Sequence, residues 1–309
     1  MKVIAVVVTY NRKGLLKECL ESILNQSLSA QKIIVVDNAS TDGTAEMIRK
    51  MKSETLRNTE MIDYRLMKRN LGGSGGFYKG IELAKEEGAD WIWIMDDDSI
   101  PETACLEELV NNTDNKISFL ASCVYGIHNE PMNIPEIDIK PTKNGYPYWH
   151  ERLSDGLILI KNATFVSILI NREAVKKCGL PCKDYFIWGD DIEYTQRLVK
   201  YYGKAYFVGN SKVCHKRANA YKLDVRNEKN PDRIKNFSYY YRNNLVNIML
   251  YGSNWQLLST IIRNMGKSFV LLCTTPYGGI RFLSLWKGLL CAVFFRHHVI
   301  NFLNEQLKI

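Results

Sequence analysis

The 309-residue chain has no GxxxxGKS or GxxxxGKT segment and no GxSxG segment. A P-loop is thereby excluded, and a serine hydrolase of the strand-elbow type is disfavoured. Glycines stand at 72, 73, 75 and 76, but not at GxGxxG spacing, so a dinucleotide cofactor site is excluded too. The eight cysteines contain one close pair, Cys178 and Cys182, and no second pair at zinc spacing. Reduced thiols, mostly in the core of a cytosolic protein, are expected rather than a zinc site. Met1–Val8 runs straight into the polar Thr9-Tyr10-Asn11-Arg12 with no cleavage-type region, so no signal peptide is expected. Acidic residues are scarce in one place only. Residues 226–309 carry 11 Lys and Arg against 3 Asp and Glu, so the whole net charge of +8 lies there and residues 1–225 balance. That segment has no uninterrupted apolar stretch of about 18 residues, so a membrane-spanning helix is not expected.

What is present begins with WIWIMDDDSIPE, Trp91 to Glu102. The apolar run Trp91–Met95 reads as a buried strand. It ends in three like charges, Asp96, Asp97 and Asp98. Such a cluster is costly at a buried strand end unless cations neutralise it. A divalent metal shared between carboxylates and ligand phosphates does so. Alone, the triplet also describes a solvated acidic turn. Ser99 and Pro101 read as the cap and first turn of a following helix.

Strands and helices alternate around this motif. Val3–Thr9, Lys32–Val36 and Ile62–Met67 read as strands, and 13–24, 44–51 and 77–87 as helices. Length and composition, 46% hydrophobic and 24% charged, suit one large or two modest globular domains. The alternation predicts an α/β fold, a mainly parallel sheet flanked by helices. Ligands of such sheets bind beyond the carboxyl ends of the strands. The polar signals stand there: Thr9-Tyr10-Asn11-Arg12, Asp37-Asn38, Lys68-Arg69-Asn70 and Asp96-Asp97-Asp98. The second half is less regular. Val166–Ile170 reads as a strand, 172–178 and 191–201 as helices, and Ala205–Val208 and Lys212–His215 as two short strands. Asp190, Asp191 and Glu193 open the helix at 191, where acids also suit the helix dipole. Beyond Asp224–Arg233 the texture changes to helical and apolar. The chain is therefore divided into residues 1–225 and a basic, apolar helical segment, 226–309.

A diphosphate-activated donor needs a metal to stabilise its leaving diphosphate, and an attacking hydroxyl needs a base. Asp96 and Asp98 suit the first task, and Asp190 or Asp191 the second. His215 can offer a metal nitrogen, although a lone histidine is more often structural. Glycines ahead of a helix let a ligand's phosphates or sugar approach the backbone.

VVVTYNRKGLLKECLESILNQS, IIVVDNASTDGT, NLGGSGGF, WIMDDDSIP and FIWGDDIEYTQR, in this order, resemble the family-two glycosyltransferases of the GT-A fold. Within them, NLGGSGGF, the triple Asp and the later DD-x-EY resemble bacterial galactofuranosyltransferases, with rhamnosyltransferases of polysaccharide assembly close by. The resemblance covers roughly residues 1 to 217. It implies that Thr9, Asn11 and Arg12 line the nucleotide pocket and that Asp37 accepts a hydrogen bond from the base of the nucleotide. Asn70 and the glycines behind it, Gly73 among them, would contact the donor, with Asp96 and Asp97. Asp96, Asp98 and His215 would hold Mn²⁺ or Mg²⁺, and Asp191 would be the general base of an inverting displacement. Gly189 stands between Trp188 and the acids, a departure from the galactofuranosyltransferase pattern, in which Trp directly precedes the acids.

The implied reaction moves a sugar, galactofuranose from a UDP donor in the first instance, to a growing glycan. Acceptors in this family are commonly lipid-linked. The alternative donor is dTDP-rhamnose. Residues 226–309 fit interfacial helices: Trp255, Trp286, Phe294 and Phe295 offer apolar contact, and Arg263, Lys267, Arg281, Lys287 and Arg296 offer charge. The expected location is cytoplasmic, peripheral at the inner face of the membrane. The opposing view makes these helices a subdomain core or a dimer contact. The basic residues form no run, which argues against a nucleic-acid partner. A nucleotide-sugar sensor without activity is the remaining alternative.

Overall fold

A computed structural model of the chain describes residues 1–54, 60–217 and 221–307. Strands β1 (Val3–Thr9), β2 (Lys32–Asp37), β3 (Ile62–Leu66) and β4 (Trp91–Asp96) alternate with helices α1 (Lys13–Leu24), α2 (Thr44–Glu54) and α3 (Gly72–Glu86). These strands lie parallel in the order β3-β2-β1-β4. Every residue of β1 is buried, as expected of an apolar run covered by helices on both faces.

The expected parallel order holds to β4, and the sheet is mixed beyond it. Strand β9 (Ile168–Asn171) runs antiparallel between β4 and β6 (Ile117–Tyr125). Strand β10 (Lys204–His215) is parallel to β6 and antiparallel to β8 (Leu157–Asn162), which pairs with β7 (Glu136–Ile137). Two expectations are corrected. Ser99–Pro101 is a short strand, β5, antiparallel to β10, and the next helix, α4, begins only at Cys105 (Cys105–Val110). The two short strands expected over 205–215 are one strand whose pairing shifts between Val208 and Lys212, since a bulge interrupts a ladder without ending the strand.

Register places the site. Thr9 pairs with Asp37, and Val8 with Asp96, so three polar strand ends share one edge. His215 pairs with Ser99, which sets the end of β10 beside the aspartates.

Helices α1, α2 and α4 cover one face of the sheet through Leu16, Leu20, Ile48 and Leu106. The other face packs on α3, α5 (Arg172–Cys178) and α6 (Asp190–Tyr201) through Phe77, Ile81, Val175 and Leu198. All eight cysteines are free. Cys178 and Cys182 sit in different clusters.

The C-terminal segment forms α7 (Pro231–Tyr251), α8 (Asn254–Thr274) and α9 (Gly278–Leu307). Asn230 caps α7 with Pro231 in its first turn, and Ser253 and Gln256 form a capping box on α8. Phe237, Leu245, Leu271, Leu285 and Val299 make its core, which also takes in Cys182 and Tyr185. Buried Arg281 donates to the carbonyls of Val225 (3.0 Å) and Glu228 (2.8 Å), fastening the polar stretch ahead of α7. Helix α9 corrects one expectation: by length and composition it is long and apolar enough to cross a membrane. Arg281, Lys287 and Arg296 interrupt the apolar run in the sequence without lowering its overall hydropathy enough to exclude this.

Candidate functional site

The acids at the end of β4 are held by cationic and hydroxyl groups from β1 and its loop. Thr9 Oγ1 donates to Asp97 Oδ2 at 2.7 Å. Arg12 Nη1 donates to Asp97 Oδ1 at 3.2 Å and Asp98 Oδ2 at 2.8 Å. Asp97 and Asp98 are buried. Burial pushes the Asp97 carboxyl up to about 6, against the pull of Arg12. Desolvation, then the charges of Asp98 and Asp97, push Asp96 well above the ordinary carboxylate range. One guanidinium therefore does not neutralise the cluster.

Asp96, Asp98 and His215 bring ligand atoms within 4.8 Å of one another. His215 Nδ1 stands 2.9 Å from Asn133 Oδ1, and Nε2 stands 3.0 Å from Asp98 Oδ1. In the tautomer that donates Nδ1–H to Asn133, Nε2 turns a lone pair toward a carboxylate oxygen. That lone pair is free to ligate a cation, and an outer acceptor on the other ring nitrogen is the usual support of a metal-binding histidine; a protonated imidazole pairs with Asp98 directly. Two carboxylates and an imidazole thus fit a divalent ion. Asn133 had no signal in the sequence.

Asp37 is fully buried and engaged at both oxygens. Oδ1 accepts from Ser40 N at 2.7 Å and Oδ2 from the Tyr64 hydroxyl at 2.6 Å. Asn11 adopts a left-handed conformation (φ 54°), and its Oδ1 accepts from Thr41 N at 2.7 Å. The two residues therefore brace the loops after β1 and β2.

The glycines do not precede α3. They form its first turn, and Asn70 Oδ1, just ahead of it, accepts from Gly72 N at 2.7 Å. Their main requirement is packing. At Gly72 (φ +74°) a Cβ would come 1.9 Å from the Phe186 carbonyl oxygen, and at Gly76 one would come 2.4 Å from Val8 Cγ1. Gly73 alone of these four faces open space, which leaves it accessible to a ligand.

The close approach at Gly72 seats the second acidic group. Ser74 N donates to the Phe186 carbonyl at 3.3 Å. Phe186, Trp188 and Gly189 are left-handed (φ 68°, 60° and 92°), and each such non-glycine residue costs on the order of 1–3 kcal/mol. The loop delivers Asp190 and Asp191 to the start of α6. Burial pushes Asp190 up to about 6. Burial and the charge of Asp190 push Asp191 up to about 7. The charge of Asp190 also reaches Asp96, so the two acidic groups are near enough to interact. Trp188 packs on Phe237 and Tyr240, with ring centroids 5.1 and 6.4 Å away.

Glu193, the third acid of that turn, serves differently. It is fully buried against Arg197 and accepts the Tyr251 hydroxyl at 2.8 Å. Chemically, Asp96, Asp98 and His215 offer ligands for a divalent metal, and Asp191 offers a carboxylate that burial and the charge of Asp190 push up to about 7.

The model of glycosyl transferase family 2 matches residues 4–179. Galactofuranosyltransferase GlfT1 of Mycolicibacterium smegmatis is 30% identical over 217 residues, 64% of this chain and 65% of that protein. The aligned part is thus just under two thirds of that relative's length. Among solved structures, residues 1–349 of S. aureus TarS superpose with a TM-score of 0.58 at 15% identity, covering 93% of this chain and 81% of that one. Mannosyltransferase PcManGT from Pyrobaculum calidifontis, in complex with GDP-Man and Mn2+, gives 0.56 at 15% identity, covering 94% and 75%. At these identities the structures establish a shared GT-A-type fold.

Proposed function

The chain belongs to glycosyl transferase family 2, and on that premise we propose that it transfers a sugar from a nucleotide-sugar donor to an acceptor hydroxyl with inversion. The observation that carries this reading is the convergence of Asp96, Asp98 and His215, with Asp190 near enough for its charge to bear on Asp96.

Asp96, Asp98 and His215 would hold Mn²⁺ or Mg²⁺, which supplies Lewis-acid stabilisation to the departing diphosphate. Asp191 accepts the acceptor hydroxyl's proton as its oxygen bonds the anomeric carbon and the bond to the diphosphate breaks. A carboxylate at about 7 is well matched to that task near neutral pH. Arg12, Asn11 and Gly73 line the donor side, while Thr9, Asp37, Asn70 and Asp97 hold that side in shape.

The donor favoured is UDP-galactofuranose, in keeping with the GlfT1 relative; dTDP-rhamnose is the alternative. The acceptor is a growing, lipid-linked cell-surface glycan. The enzyme acts at the cytoplasmic face of the membrane, docked through residues 226–309. Exposed Trp255, Ile262 and Phe269 on α8 and Leu283, Leu290 and Phe294 on α9 support this. So do exposed Arg263, Lys287 and Arg296, with Glu305 the one acid in Asn254–Leu307. Residues 308–309 lie outside the described part of that segment.

The test is a screen of UDP- and dTDP-sugars for Mn²⁺-dependent binding, then for consumption with a lipid-linked acceptor. Metal-dependent transfer from one donor is expected. Binding without hydrolysis or transfer for any donor would make the protein a sensor instead.

A further inference from the structure

Asn243 and Asn247 stand one turn apart on α7, far in sequence from the acids, yet both face the loop that precedes Asp190. Asn243 Nδ2 shares its two hydrogens among the carbonyls of Tyr185 (3.1 Å), Ile187 (3.0 Å) and Trp188 (2.7 Å). Asn247 Nδ2 donates to the Gly189 carbonyl at 2.7 Å, and its Oδ1 accepts the Tyr185 hydroxyl at 2.7 Å. Arg242 donates to the carbonyls of Asp184 (3.1 Å) and Tyr185 (3.0 Å). Its Nε donates to Asn243 Oδ1 at 2.8 Å, which turns the Asn243 amide nitrogen toward the loop. With Ser74 N on the Phe186 carbonyl, every carbonyl from 184 to 189 receives a donor from outside the loop.

The loop needs them. Its left-handed residues, Phe186, Trp188 and Gly189, do not hold such a conformation unaided and persist where the surroundings over-determine them. Asn243 is fully buried, so no water substitutes for its amide. The adjoining Gly189 lies against it, with an added Cβ 3.2 Å from Asn243 Cβ. A small shift of these carbonyls moves the start of α6, and with it both acids.

We infer that Asn243 and Asn247 are positioning residues of the transfer reaction, fixing where Asp190 and Asp191 stand relative to Asp96. Helix α7 is then part of the catalytic apparatus rather than of a separable tail. The inference rests on the transferase reading above, and its test separates the two.

Asn243→Ala and Asn247→Ala are made in the full chain. Three quantities are read: amide hydrogen exchange over residues 186–192, affinity for UDP with Mn²⁺, and kcat for transfer. Exchange at 186–192 is expected to quicken at least tenfold while exchange in β1 and β4 is unchanged. Affinity for UDP should stay within twofold. kcat should fall on the order of 10²-fold, the usual consequence of misplacing a reacting group by about 1 Å. Wild-type exchange and kcat in both variants overturn the inference. So does an equal loss of UDP affinity and kcat, which marks general damage. Should Asn243→Ala not fold, Asn247→Ala, which removes one donor and one acceptor, decides alone. A wild-type chain that transfers nothing refutes the transferase reading, while the exchange result still decides whether the asparagines hold the loop.

Discussion

Glu193→Gln should be among the most destabilising single-atom changes in this protein. The Glu193–Arg197 pair is fully buried on both sides, with Nη2 to Oε2 at 2.8 Å and Nε to Oε1 at 3.0 Å. Arg197 Nη1 also donates to the carbonyls of Cys178 (2.8 Å) and Leu180 (3.1 Å), and its guanidinium lies 4.9 Å from the Tyr194 ring centroid. The substitution keeps shape and an acceptor but removes the negative charge, leaving a buried cation uncompensated. Breaking such a pair costs about 3–5 kcal/mol, against about 5–15 kcal/mol for the whole stability of a typical protein. A urea slope of about 3 kcal/mol per molar converts this to a midpoint lower by about 1 M or more. The control is internal. Lys17 and Glu21 share the i,i+4 spacing but are half-exposed, 3.5 Å apart, so Glu21→Gln should cost about 0.5 kcal/mol or less. The assay is urea unfolding of both variants followed by circular dichroism. Equal midpoints for the two would refute the argument, because a buried, bidentate pair should far outweigh a half-exposed single contact.

Asp98→Ala should abolish Mn²⁺-dependent donor turnover and lower the thermal midpoint modestly, since it also removes the pairings with Arg12 and His215; wild-type turnover at limiting Mn²⁺ would end the metal assignment. Asp191→Asn should lower transfer roughly 10²–10⁴-fold with UDP affinity intact. In the wild type the base works only when ionised, so the raised value of about 7 predicts that kcat falls as pH drops through about 7; a flat profile from pH 5 to 8 would contradict it. Gly72→Ala should destabilise measurably in thermal unfolding, because its φ of +74° and the Phe186 carbonyl both oppose a Cβ, whereas Gly73→Ala, facing open space, should melt like wild type. Flotation with anionic liposomes at low salt should weaken when exposed Trp255, Phe269 and Phe294 are changed to Ser, and also with added salt; binding unaltered by both would favour a protein partner for that face.

Much of the frame was legible in the order of the amino acids. Apolar runs such as Val3–Val8 and Trp91–Met95 have only one economical environment, a strand covered on both faces, and the chain order of strand and helix then dictates parallel neighbours. Polar residues ending those runs mark the ligand edge, so Thr9, Asp37 and Asp96 were legible as neighbours before any register was known. The likeness across NLGGSGGF carried the same way, since that segment lies within the residues 4–179 that the family model matches.

Tertiary structure decided whatever depended on contacts between distant segments. Glu193 and Glu21 have equivalent helical spacing, and only packing makes one pair dry and the other wet. Ser99–Pro101 has good helix-start chemistry, yet pairing with β10 makes it a strand and brings His215 to Asp98. The glycines of α3 suggested room for a ligand; most of that room is filled by Val8 and the Phe186 carbonyl. Asn133 and Asn243 are single amides without periodicity or motif. Their roles arise from buried polar groups that must find partners, and which partner each finds is settled only when the chain has closed on itself.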